Sequence, residues 1–208
     1  MSFADNLVNI AKQEFGLWSH GNWIECVKDI LTKKPVKDKR KQPGAEKVHE
    51  YWLNGIGESN RHGCTDLAWS AAFICWCLRK SGMRLDQFPI SGSHQAYIRW
   101  SINNSKSQKL GKSYYGRRVN EYLPKPGDLI AQWRKKKKND PDPNISFDNQ
   151  PDQFYTSHCD IVISVTSESV ITIGGNVSNR VKETKFAVSN GLLVPKKEII
   201  CIMECKMT

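Results

Sequence analysis

At 208 residues, with 39% hydrophobic and 10% aromatic side chains, the chain is long enough to bury one sizeable core and too ordinary in composition to be fibrous or disordered. Lysine and arginine total 31 against 21 acidic residues, a net +10 concentrated in KKPVKDKRK (33–41) and RKKKK (134–138), and such a field favours polyanions. No run of about 18 apolar residues exists to span a bilayer, and MSFADNLVNIAKQEFG lacks the basic flank and apolar centre of a secretory signal, so a soluble protein made in the cytoplasm without a standard export signal is expected.

In chain order, residues 3–15 and 22–32 carry helical spacing, with Leu7, Ile10, Ala11 and Phe15 on one face of the first, and a basic, proline-containing loop then runs to Gly44. A third helical segment at 46–53 bears Val48, Tyr51 and Trp52 before the turn-rich GIGESNRHG. From 66 to 80 the sequence DLAWSAAFICWCLRK is apolar at every position between Leu67 and Leu78 except Ser70, which predicts a helix buried on nearly all sides and closed by Ser81 and Gly82. A more amphipathic segment follows with His94, Tyr97, Ile98 and Trp100, then a polar stretch.

Strands replace helices from LPKPGDLIAQW onward. Residues 134–156 combine the lysine run with NDPDPN and DNQPDQ, too polar and proline-rich to pack, and predict an exposed loop inserted between strands. HCDIVISV and SVITIGG read as a hairpin, and EIICIMECKM as a last strand. The fold class is therefore α+β in a single domain over 1–208, with a helical flank at 1–60.

The cysteines Cys26, Cys64, Cys75, Cys77, Cys159, Cys201 and Cys205 are an odd set without the paired CxxC spacing of a zinc or redox site, so reduced, mostly buried thiols are expected, with no metal and no cofactor. A hairpin centred between Ser167 and Glu168 sets His158 opposite Val177 and beside Asn176, although a one-residue slip would turn one partner to the other face. An imidazole beside a carboxamide is the orienting half of a nucleophile, base and orienter triad, and Ser70, near a helix start where free N–H groups and the dipole favour negative charge, is the candidate nucleophile. Each residue also has an ordinary explanation: Ser70 bonded back to the Asp66 carbonyl, His158 a structural strand-end histidine, Asn176 a turn residue after two glycines. Cys64, in the loop RHGCTD close to His62 and Asp66, is a second nucleophile candidate, and His94 could line the same cleft.

WSAAFICWCLRKSG resembles the nucleophile helix of NlpC and CHAP peptidases, KPGDLI the strand entry that follows it, SHCDIVISV the catalytic-histidine strand, and ITIGGNVSNRV the strand and turn that carry the third polar residue. Four motifs in order over 66–181 make the match specific. The resemblance implies a papain-like core, a central helix packed on a small antiparallel sheet, with Ser70 as nucleophile, His158 as base and Asn176 as orienter. The wider family has cysteine where this chain has Ser70; a bacterial branch carries serine in the same WSAAF context, and a hydroxyl needs more base assistance than a thiol. The implied activity is amide hydrolysis in the peptide stems of peptidoglycan.

The chain is also similar to type VI secretion effectors of the TseH kind, which implies delivery by a secretion-machine carrier to the periplasm of a target cell and a cognate immunity protein as partner. Two other readings stand beside this one. Serine in place of cysteine could leave a cleft that holds muropeptide without cleaving it, and the lysine runs could contact nucleic acid through backbone electrostatics alone, a reading that ranks last because no reading helix or spaced aromatics accompany them.

Overall fold

The computed structural model describes residues 1–28, 32–35, 42–135 and 143–208. Four helices, α1 (Phe3–His20), α2 (Pro43–Ile56), α3 (Ser70–Lys80) and α4 (His94–Lys106), precede seven strands: β1 (Tyr114–Arg117), β2 (Leu129–Trp133), β3 (Ser157–Val165), β4 (Ser169–Gly174), β5 (Lys182–Ser189), β6 (Leu192–Leu193) and β7 (Ile199–Cys205). The strands form one antiparallel sheet in the order β1-β7-β2-β3-β4-β5-β6. The mixed α+β class expected from the sequence is present.

The start of α1 is fixed by a capping box: the Asp5 N–H donates to Ser2 Oγ at 3.2 Å and the Ser2 N–H to the Asp5 carboxylate at 3.1 Å. Its buried stripe, Phe3, Leu7, Val8, Ala11 and Trp18, repeats at helical spacing. Pro43 opens α2, and Gly57, at φ +96°, closes it in the left-handed conformation that glycine adopts most easily. Residues 70–78 of α3 are all buried, because α1 and α2 pack on one side and β3 and β4 on the other.

The central strands read as nearly unbroken apolar runs because both sheet faces are covered. Leu129, Ala131, Cys159, Ile161, Cys201 and Met203 join the helices in the main core, while the alternating Ile130, Val162, Val170, Phe186 and Ile202 form a second core beneath the sheet. At the head of β2, Asp128 accepts from the N–H groups of Lys125 and Cys205, each at 2.7 Å, and from the Tyr122 hydroxyl at 2.9 Å, which ties the KPGD turn to β7.

Several expectations are corrected. The described part of 22–32 is not helical; residues 24–26 thread instead between α2 and the loop before α3, so closely that a Cβ on Gly44 would fall 2.0 Å from the Ile24 carbonyl oxygen and one on Gly63 2.0 Å from that of Glu25. The central helix starts at Ser70 rather than residue 66, with Trp69 as its cap. The polar stretch after α4 contains β1, and β5 forms although only Phe186 of its residues is buried. Within 143–156, Ile145, Phe147 and Tyr155 are buried, held by the cations Arg118 and Lys106 over Phe147 and Arg99 over Tyr155, so this part of the insertion packs. Residues 36–41 and 136–142, which hold most of both basic runs, lie outside the described residues.

The cysteine expectation is also corrected. Cys26 and Cys64 form a disulfide, with Cα atoms 5.0 Å apart, and the other five cysteines are free.

Candidate active site

Ser70 is the first residue of α3, and the N–H groups of residues 70–72 have no acceptor among the described residues; the helix ladder begins with the Phe73 N–H on the Trp69 carbonyl at 3.0 Å. Free N–H groups and the dipole make this end of α3 favourable for a developing oxyanion. Trp69 anchors the helix start: its ring stacks on Trp18 and Tyr51 at 5.3 and 5.7 Å between centroids, and its indole N–H donates to the Glu25 carboxylate at 2.6 Å.

The partner of Ser70 is His94. Ser70 Oγ lies 2.6 Å from His94 Nε2, and His94 Nδ1 bonds the Tyr97 hydroxyl. His94 is the first residue of α4, and Tyr97 stands one turn along the same helix face. Two proton arrangements satisfy this chain of groups, and the one with the proton on Nδ1, donated to Tyr97, leaves Nε2 free to accept from Ser70. Burial disfavours the imidazolium form, and the nearby His158 and Arg134 repel positive charge, so the His94 pKa falls well below its usual value and the ring is neutral at neutral pH.

His158 does not hydrogen-bond Ser70. Its Nε2 lies 2.7 Å from Asp160 Oδ1, and its ring centroid is 5.4 Å from that of His94. An ionised carboxylate only accepts, so Asp160 fixes the proton on Nε2 and leaves Nδ1 as the nitrogen available to a substrate. The pair exists because residues two apart on β3 share a face and because β4 offers a glycine opposite: a Cβ on Gly174 would fall 1.8 Å from Asp160 Oδ1 and 3.0 Å from His158 Nε2. The expected register holds near the turn, where Val165 faces Val170 and Ser164 faces Ile171, but a bulge between Val162 and Ser164 shifts it by one residue, so Ile161 faces Ile173. That shift brings Asp160 alongside Gly174.

Asn176 sits just past β4 in the turn GGNVSNR at φ +59°, and its side chain has no hydrogen-bond partner among the described residues. The orienter's place beside His158 is taken by Asp160. Asp66 points into solvent, 93% exposed, and pairs with Lys28 at 3.1 Å, away from Ser70. Cys64, joined to Cys26, carries no free thiol, which removes it as a nucleophile in this form. Among the described residues no group of three His, Cys, Asp or Glu side chains gathers in a way that could hold a metal ion.

The structure thus gathers Ser70, His94 and His158, which the sequence named, with Asp160 and Tyr97, which it did not. Both carried a readable signal, since a residue two along a strand or three along a helix from a histidine shares its face. The site is nearly closed: Ser70 is 6% exposed, His94 4% and Asp160 1%.

The chain matches no curated protein and no solved structure. A family model does match residues 54–204, a span that includes every residue of the Ser70–His94–Tyr97 and His158–Asp160 groups, and the chain belongs to that family, described as uncharacterised proteins conserved in bacteria (DUF2272).

Proposed function

We propose that the chain is a papain-like amide hydrolase directed at the peptide stems of peptidoglycan, with Ser70 as nucleophile. The observation that carries the reading is the contact of Ser70 Oγ with a buried, neutral His94 Nε2 at the free N-terminus of α3, beside the His158–Asp160 pair. In this reading His94 takes the Ser70 proton as Oγ attacks the carbonyl carbon, and the N–H groups of residues 70–72 bind the oxyanion. The amide C–N bond then breaks, the proton passes to the leaving amine, and water releases the acyl group from Ser70. Asp160 holds the His158 ring through Nε2, and His158, with its ring 5.4 Å from that of His94, is the second proton carrier in this reading.

The NlpC and CHAP resemblance supports the substrate class, and the disulfide supports work in an oxidising compartment such as the envelope. The role proposed is that of an antibacterial effector, carried by a secretion machine into a target cell's periplasm and neutralised in its producer by an immunity protein. The slight exposure of Ser70 favours one competing reading, a muropeptide-binding module without turnover.

Digestion of purified peptidoglycan, with released fragments identified by mass spectrometry, separates the two. The hydrolase reading expects cleavage by the wild type, none by Ser70→Ala, and a loss of about 100-fold or more in His94→Gln. Binding without cleavage by the wild type, together with cleavage by Ser70→Cys, would identify a binding-only descendant of a cysteine peptidase.

A further inference from the structure

At the far end of α4 from His94 lies a second concavity, a cleft of about 890 Å³ between the 84–89 loop, α4, β1 and the C-terminal residues. That volume is typical of ligand sites, about 300–1,000 Å³. Asn104, on its floor, is ten residues along α4 from His94, about 15 Å at the helical rise, so this cleft is separate from the Ser70 site.

Its polar groups are incompletely used. Asn104 is fully buried; its Nδ2 donates to the Tyr114 carbonyl at 3.0 Å, but its Oδ1 has no donor. A buried acceptor left unpaired is costly, and such groups concentrate where a ligand or water completes them. The half-buried Trp100, packed edge-on against Phe88 at 5.7 Å, has an indole N–H without an acceptor among the described residues.

Charge and apolar surface narrow the ligand. Among the lining cations, Arg84 is held by Asp86, while Arg117 and Lys206 share Glu204; Lys109 and Lys112 have no anionic partner among the described residues. Leu110 and Leu85, 91% and 66% exposed, stand at the same cleft as large apolar side chains facing water. One ligand chemistry answers all of these features. Carboxylates suit Lys109 and Lys112, an amide N–H suits Asn104 Oδ1, a carbonyl suits the Trp100 N–H, and apolar side chains suit Leu85 and Leu110. We propose that this cleft binds an acidic peptide segment, anchored by Asn104 and Trp100 and steered by Lys109 and Lys112. The site does not depend on hydrolysis at Ser70.

The test is fluorescence anisotropy of the full chain with a fluorescein-labelled peptide of alternating glutamate and leucine, with a lysine and leucine peptide and a single-stranded oligonucleotide of equal negative charge as comparisons. The expected result is saturable binding of the acidic peptide alone, weakened about tenfold by Lys109→Glu with Lys112→Glu. Lys12→Glu with Lys185→Glu, an equal change of net charge at exposed positions on α1 and β5, should leave binding unchanged. Leu110→Asp, at an exposed position where folding is not at stake, should also weaken it. Absent saturable binding, equal loss in the Lys12 and Lys185 pair, or full displacement by the oligonucleotide would overturn the proposal.

Discussion

Gly174→Ala is the sharpest perturbation of the candidate site, because it adds one methyl group where Asp160 already stands. The new Cβ would fall 1.8 Å from Asp160 Oδ1, so the carboxylate must rotate away and break its 2.7 Å bond to His158. Gly174 is not in the left-handed region, so backbone strain adds nothing and the cost is that of the displaced side chain. Losing a hydrogen bond to a charged group costs about 1.5–3 kcal/mol, and the displaced carboxylate, 1% exposed, would keep only Gln132 at 3.5 Å, adding about 1 kcal/mol more. A total near 3 kcal/mol corresponds to a fall in Tm of roughly 6–12 °C for a chain of this size. Thermal unfolding followed by circular dichroism measures it, and the same substitution in an Asp160→Ala background isolates its origin. There the Asp160 clash is gone and the next atom is His158 Nε2 at 3.0 Å, so the expected cost falls below about 1 kcal/mol. Equal destabilisation in both backgrounds, or none in the wild type, would refute the argument that Gly174 exists to admit the carboxylate.

Three further outcomes are expected. Thiol titration of the unfolded, unreduced chain should count five thiols, and reduction should lower stability by about 3–4 kcal/mol, the loop-closure value for the sequence separation of 38 from Cys26 to Cys64; a count of seven would exclude the disulfide. Because the His94 pKa is lowered on folding, its contribution to stability is present above about pH 6.5 and is lost as pH falls below that value; His94→Gln should flatten the acid side of the stability profile, and any hydrolysis should keep its base form well below pH 6.5. Asp128 has the opposite sign: burial raises its carboxyl to about 6 from 3.8, so stability is highest below the lower value and declines as pH rises through the upper one, by up to about 3 kcal/mol, and Asp128→Asn should remove that decline in denaturant titrations run from pH 4 to 7.

How far the sequence carried depended on whether a feature is local. Ser70 was visible as the single polar residue in an apolar run, and α1, α4 and the β3–β4 hairpin followed from periodicity and turn residues. The start of α3 was misplaced because Leu67, Ala68 and Trp69 continue the apolar pattern and Trp69 makes no side-chain cap that would mark the boundary. Register failed at the bulge: an extra residue in β3 has no signature among Ile161, Val162 and Ile163, yet it sets Asp160 beside Gly174 instead of Gly175, while Asn176 stays unpaired because β4 ends at Gly174 and the chain turns with Asn176 at φ +59°. The Ser70–His94 contact joins residues 24 apart on two helices, so it arises from packing that no spacing rule contains. The same holds for Cys26 and Cys64, whose separation matches no motif. Strand β5, flanked on its outer side only by the two-residue β6, was hidden because KETKFAVS is rich in charged and polar residues and buries only Phe186.

The Cys26–Cys64 bond also makes residues 26–64 a covalent ring that contains the basic run 33–41 and all of α2. A single cut by a trypsin-like protease within that run would open the backbone without separating the pieces. The N-terminal piece, with the α1 residue Trp18 that stacks beneath Trp69, would remain tied to the chain carrying Ser70. Nicked protein would then migrate intact on a non-reducing gel and divide in two only after a thiol is added, so in an oxidising milieu this chain can lose a peptide bond in that run and still keep the two parts of its candidate site together.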